Sequence, residues 1–322
     1  MDPHAKATLR LRTSLAADWD AATLAAERNR SVSVVLPALN EQATVGGIVS
    51  SIRTHLMDGP IRLVDELVVL DSGSTDRTAE VALAAGATVH HRDDVLPRIS
   101  AGLGKGEAMW RAVAATEGEI VVFIDADLRS FGPHYVVGLL GPLLTDPAIM
   151  FTKACYDRPL VEAGTGSTGG GRVTELVARP LLNLYWPELA GVIQPLAGEY
   201  AIRRSVLEQV PFPCGYGIDF ALLVDTANRY GSESIAQVDL GVRRHRHHDD
   251  LRLGRMAAEI MRVAVNRLTP PGQNFGKSRV SLGLTQFSRT ANQFVATEHE
   301  VDSVERPPLV HVQEYSEQSQ AG

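Results

Sequence analysis

From Ser31 onward the chain alternates short apolar runs with helix-patterned segments, and this alternation constrains the fold more than any other feature. Parallel neighbours need a crossover, which a helix supplies, so such a rhythm builds a mostly parallel sheet with helices on both faces. Strands are expected at 32–36 (ended by Pro37), 67–70, 88–90 and 120–124. Helices are expected from Asn40 or Glu41 to 53, at 76–85 behind a Ser74 or Thr75 cap, and from Gly104-Lys105-Gly106 to 116. The second half is less regular. It reads as a helix at 135–144, a strand at 149–156, helices at 173–183 and 218–230, and a strand at 235–240.

Composition narrows the function. The chain has 322 residues, 44% of them hydrophobic and 21% charged, enough to bury a large α/β core. A net charge of −7 excludes a general nucleic-acid binder, so any phosphate must be met by local positive charge, metal or helix N-termini. Cys155 and Cys214 lack metal-type spacing, and no apolar run of membrane-spanning length occurs. A soluble cytoplasmic protein without membrane or nucleic-acid partners is expected. Four segments are expected: an N-terminal extension with a helix at 16–27 (1–30), a nucleotide-sugar-binding α/β part (31–145), an acceptor-binding part (146–268), and a C-terminal extension (269–322) disordered from Gln313 onward.

The chemistry concentrates at strand ends. Asp125-Ala126-Asp127 follows the apolar run 120–124, and two carboxylates at a sheet rim suit a hard divalent cation with a diphosphate. Strand geometry puts both on one face, unless a turn at Ala126 rotates the second away. Pro37-Ala38-Leu39-Asn40-Glu41 and Asp71-Ser72-Gly73-Ser74-Thr75-Asp76 follow the first two strands, where open α/β sheets place ligands. Lys105 lies between two glycines at a helix start and suits a phosphate, although this is not a Walker loop. Gly169-Gly170-Gly171-Arg172-Val173-Thr174 offers free N–H groups and a guanidinium, an anion pocket separate from the nucleotide. Arg243-Arg244-His245-Arg246-His247-His248 follows the last strand, where a histidine completes a metal shell and an arginine steadies phosphates, or where the run is only a solvated loop.

Together with Gln194 through Tyr200, Cys214 through Gly217 and Gly241-Val242-Arg243, these segments resemble retaining nucleotide-sugar glycosyltransferases of the GT-A type, most closely the glucosyl-3-phosphoglycerate synthases. The resemblance runs from about Ser31 to Pro308 and implies a UDP-sugar donor, a 3-phosphoglycerate acceptor, Mg²⁺ or Mn²⁺, and a homodimer. It assigns Pro37, Ala38, Leu39, Asn40, Glu41, Ser72, Lys105, Asp125 and Ala126 to the nucleotide side of the donor. Leu196, Gly198, Glu199 and Tyr216 line the sugar and reaction centre, and Asp127 with His245 holds the metal. Gly171, Arg172, Val173, Thr174 and His247 receive the acceptor, while Asp127, Glu199, Asp219 and Arg243 are the expected catalytic groups. Asp219 and His247 depart from the family pattern, which has Glu and Asn there, so the acceptor is open to change. GDP-mannose as donor, a nucleotidyltransferase and a silent sugar-nucleotide binder remain as alternatives.

Overall fold

The computed structural model describes residues 12–157, 171–243, 250–269, 281–290, 293–301 and 304–321. In chain order the elements are β1 (Thr13–Leu15), α1 (Ala21–Glu27), β2 (Val32–Ala38), α2 (Val45–Ile52), β3 (Glu66–Asp71), α3 (Thr78–Ala84), β4 (Thr88–His91), α4 (Lys105–Ala114) and β5 (Ile120–Phe123). There follow α5 (His134–Thr145), β6 (Phe151–Asp157), α6 (Arg179–Tyr185), β7 (Tyr200–Arg203), α7 (Arg204–Leu207), β8 (Phe212–Pro213), α8 (Ile218–Tyr230) and β9 (Ile235–Val242). The chain continues through α9 (Asp250–Leu268), the hairpin β10 (Gly283–Thr290) and β11 (Gln293–Glu300), β12 (Glu305–Arg306) and α10 (Gln313–Ala321).

Eight strands form one sheet in the order β1-β9-β6-β7-β5-β2-β3-β4. All pairings are parallel except those of β7, which runs antiparallel to β5 and β6. The sheet crosses from residues 31–145 into 146–268 without a break. Its central strands carry continuous apolar runs because helices cover both faces. One core holds Trp110 of α4, Phe220 of α8 and Ile260 of α9, and the other holds Ile48 of α2 and Leu139 of α5.

Four expectations need correction. β2 runs through Pro37 to Ala38, because pairing with β5 ends at Val35–Phe123 and one side of the strand has no ladder left to complete. Neither Ser74 nor Thr75 caps α3: its N-cap is Arg77, without a side-chain cap bond, and the Thr78 amide of the first turn donates to Asp76 Oδ1 at 2.9 Å. The alanine-rich stretch at 16–27 is split into a 3-10 turn and α1 by the capping residue Asp20, and it is preceded by the edge strand β1. Residues from Gln313 onward form α10, where Glu314 accepts from the Arg98 amide at 3.2 Å and the Tyr315 hydroxyl donates to Glu208 at 2.5 Å.

Candidate active site

The site lies at the carboxyl edge of β2, β3 and β5. Asn40 adopts a left-handed backbone (φ 59°), a conformation asparagine tolerates better than most residues. Its amide donates to Ser74 Oγ at 2.9 Å, and its Oδ1 accepts from the Thr75 amide at 2.8 Å. Asn40 therefore fastens the turn after β2 to the turn after β3. That fastening uses its side-chain oxygen and leaves Leu39 exposed at the rim. Asp71 is buried and receives the Ser74 amide, and the Ser72 amide donates to Ala38 O at 2.9 Å.

Beyond β5, Asp125 and Asp127 converge on one nitrogen. Arg243 Nη2 lies 3.0 Å from Asp125 Oδ2 and 3.3 Å from Asp127 Oδ1. Ala126 is buried between them, and its carbonyl accepts from Thr44 Oγ1 at 2.6 Å. The turn at Ala126 thus leaves both carboxylates aimed at the same point. The other arm of the guanidinium, Nη1, meets Glu199 Oε1 at 3.1 Å and the Tyr156 hydroxyl at 2.7 Å, and Tyr156 in turn donates to Glu199 Oε2 at 2.8 Å.

Lys105 closes the other side. Its Nζ sits 3.1 Å from Asp125 Oδ1 and 3.2 Å from Asp219 Oδ2, while the Tyr200 hydroxyl donates to Asp219 Oδ1 at 2.9 Å. Lys105 can point there because its helix starts against a backbone. The Glu107 amide donates to Cys214 O, and a Cβ at Gly106 would collide with Pro213 O. Gly198 is needed for the same reason, since a Cβ there would overlap the Asp125 carboxylate.

Burial works against the charge on Lys105, but Asp125 and Asp219 overcome it and its pKa is raised. Burial likewise opposes ionisation of Asp125, and Lys105 and Arg243 overcome it, so this carboxyl is held well below the usual range. Glu199 is fully buried against Arg243. Among the described residues four carboxylates face two cations. That surplus of negative charge, with Asp127 the most exposed member at 34%, fits a hard divalent cation. Among the described residues no three metal-ligating side chains gather into one group. His245, the expected second ligand, and His247 lie outside the described residues, as do Gly169 and Gly170.

The expected acceptor residues are partly in place. Gly171 takes a left-handed backbone (φ 97°), Val173 and Thr174 are buried, and Arg172 is ion-paired with Asp250 at the start of α9. Tyr216 is held from α9, its amide donating to Glu259 Oε2 at 2.6 Å and its hydroxyl accepting from Arg252 at 3.1 Å. Leu196 packs against the core that holds Tyr200. Sequence reasoning missed Tyr156, Tyr200 and Lys153. The available signal was a lone lysine inside the otherwise buried run of β6. Because Asp219 is fixed by two partners and does not stand free, Asp219→Glu keeps transfer within about tenfold, about 1.4 kcal/mol in barrier. Steady-state rates decide this, and complete loss would assign Asp219 a role beyond positioning.

Comparison with known proteins places this arrangement. The family model for glycosyl transferase family 2 matches residues 33–210. The glucosyl-3-phosphoglycerate synthase of Mycolicibacterium paratuberculosis is 48% identical over 299 residues, 90% of this chain and 88% of that protein. The chain belongs to the glucosyl-3-phosphoglycerate synthase family. Among solved structures, the Mycobacterium tuberculosis glucosyl-3-phosphoglycerate synthase, in complex with Mn²⁺, UDP and phosphoglyceric acid, superimposes with a TM-score of 0.80 at 46% identity, over 91% of this chain and 95% of that one. Mannosyl-3-phosphoglycerate synthase from Rubrobacter xylanophilus gives a TM-score of 0.87 at 36% identity, over 95% and 99%. The chain is a glycosyltransferase with an α/β fold of the GT-A type.

Proposed function

We propose that the chain transfers glucose from UDP-glucose to the 2-hydroxyl of 3-phosphoglycerate, with retention at the anomeric carbon. The observation that carries this reading is the buried cluster in which Lys105 and Arg243 sit among Asp125, Asp127, Glu199 and Asp219. A leaving diphosphate needs fixed positive charge already in place, and two cations held rigid by carboxylates provide it. Mg²⁺ or Mn²⁺ held by Asp127, with His245, would add a Lewis acid that neutralises the departing phosphates. Arg243 spans the donor carboxylates and Glu199, so it couples the diphosphate end of the site to the sugar end. Glu199 and Asp219 are each engaged by a cation and a tyrosine hydroxyl, which suits orienting the sugar and the acceptor rather than nucleophilic attack. That arrangement supports same-face attack, with a donor phosphate oxygen taking the proton.

In this reading the residues from Pro37 to Glu41 and Ser72 hold the uridine side, and Gly171 to Thr174 receive the acceptor. Residues 31–145 serve the donor and 146–268 the acceptor, although they share one sheet. Arg172 must leave Asp250 to reach a phosphate or carboxylate. Greater identity to the glucosyl enzyme than to the mannosyl enzyme, 46% against 36%, supports glucose. The test is product formation from UDP-glucose, GDP-glucose, UDP-mannose and GDP-mannose in parallel. UDP-glucose is expected to give the fastest α-linked product, and a preference for GDP-mannose would transfer the chain to the mannosyl reading.

We further propose a cytoplasmic homodimer. No helix among the described residues is long and apolar enough to cross a membrane. The hairpin β10–β11 displays Phe287 and Phe294 on one face, with Leu282 exposed beside it, an apolar patch that suits a second copy. Sedimentation velocity at micromolar concentration is expected to show twice the chain mass, and a monomer there would refute the assembly.

A further inference from the structure

Lys153 stands in the middle of the sheet, on β6, with 1% of its surface exposed. A lysine is almost never buried this completely without a partner that answers its charge. Among the described residues no carboxylate is within ion-pairing reach of it; its Nζ donates to Ala197 O at 2.9 Å. The same nitrogen lies 4.4 Å from the centre of the Tyr200 ring and 5.4 Å from that of Phe151, over aromatic faces that attract a cation. Tyr200 is also its direct neighbour across the β6–β7 pairing.

Both partners of Lys153 lead into the site. Ala197 precedes Gly198, whose missing Cβ leaves room for the Asp125 carboxylate, and Glu199, which grips Arg243. Tyr200 carries its hydroxyl to Asp219, which faces Lys105. One ammonium therefore fixes two sides of the cluster from beneath, without any path of its own to a substrate.

We propose that Lys153 is a positioning residue for glycosyl transfer, setting the Ala197–Glu199 segment through its carbonyl bond and Asp219 through the Tyr200 ring. This rests on the transferase reading above. Burial pulls the Lys153 ammonium down to about 8, with Asp219 of α8 acting against that shift and Lys105 of α4 reinforcing it. Glu199 and Asp125, from the segments before β7 and after β5, also favour the charged form, and on the β9 side its cross-strand neighbour is the uncharged Gln237. Tyr200 and Cys155 are both pushed upward by burial, Cys155 to about 12, so neither titrates near pH 8. Loss of the proton weakens the hold on Tyr200, and turnover falls on the alkaline side.

The stability sign runs the other way. A lysine depressed from 10.5 to about 8 binds fewer protons folded than unfolded in that window, so its burden on the fold is present in full below pH 8 and is relieved as pH rises through it. Lys153→Met, close in length and apolar, removes that burden.

The experiment compares wild type and Lys153→Met in kcat against pH and in thermal unfolding at neutral pH. Wild-type product from UDP-glucose and 3-phosphoglycerate is measured first, so failure of the transferase reading shows itself separately. Expected are a wild-type alkaline limb near pH 8, its disappearance in the variant, a fall in kcat of about tenfold or more, and a Tm no lower than wild type. Nζ chemical shifts of ¹⁵N-labelled lysine should report the same titration without turnover. Wild-type kcat and profile in a folded variant would overturn the proposal, as would activity falling only in step with Tm. If the variant does not fold, a wild-type profile flat from neutral to about pH 9.5, or an Nζ titration above about pH 10, overturns it equally.

Discussion

Arg243→Met lowers kcat by about 10²–10³-fold, the effect of deleting one preorganised charge-stabilising group from a water-poor site. The side chain is 7% exposed and, among the described residues, is the one guanidinium that touches Asp125, Asp127 and Glu199 together. Methionine fills a similar volume but takes the guanidinium away from the fully buried Glu199 carboxylate. Stability should fall as well, by about 3–5 kcal/mol, since a buried carboxylate loses its ion-pair partner. Urea unfolding of the purified variant measures the second effect and steady-state turnover the first. A variant with unchanged stability would mean that the carboxylates relax into solvent and that the cluster is looser than these distances imply.

Gly198→Ala gives the second large effect from a single methyl group. The added Cβ would occupy the position of the Asp125 carboxylate, which must then leave Lys105 or Arg243. Displacement of about 1 Å in a positioning group costs roughly 10²-fold in rate. The overpacking itself destabilises by about 1–3 kcal/mol. Gly47→Ala is the matched control, because a Cβ there meets nothing within 4 Å and lies inside α2. It should leave turnover alone and add up to about 1 kcal/mol of stability through helix propensity. Equal behaviour of the two alanine variants would contradict the close approach of Gly198 to Asp125.

The contrast between these residues shows how much of the site was legible beforehand. Asp125-Ala126-Asp127 could be read because a buried strand ends immediately before it, and the helix at 218–230 because its apolar period is unbroken. Arg243 could be read from the basic run after the last strand as a group that steadies phosphates, and its catalytic part only through the family resemblance. What composition could not convey is which strands become neighbours. β7 inserts antiparallel between β5 and β6, and only that insertion sets Tyr200 beside Lys153 and brings Glu199 under Arg243. β1 pairs with β9 more than 200 residues away, a contact with no local signal. At the other end, α10 looks polar enough to be unstructured, yet Glu314 and the preceding Leu309 and Val312 bury themselves against the main body. The polar face that suggested disorder is its solvent side.

The most direct test of the central claim is the formation of glucosyl-3-phosphoglycerate and UDP from UDP-glucose and 3-phosphoglycerate, with Mg²⁺ and again with excess EDTA, for wild type and Asp127→Ala. The structure predicts product in wild type with Mg²⁺, none above background with EDTA, and a loss of about 10³-fold or more in the variant. Product that persists undiminished in EDTA and in Asp127→Ala would contradict a metal-assisted departure of the diphosphate from this cluster.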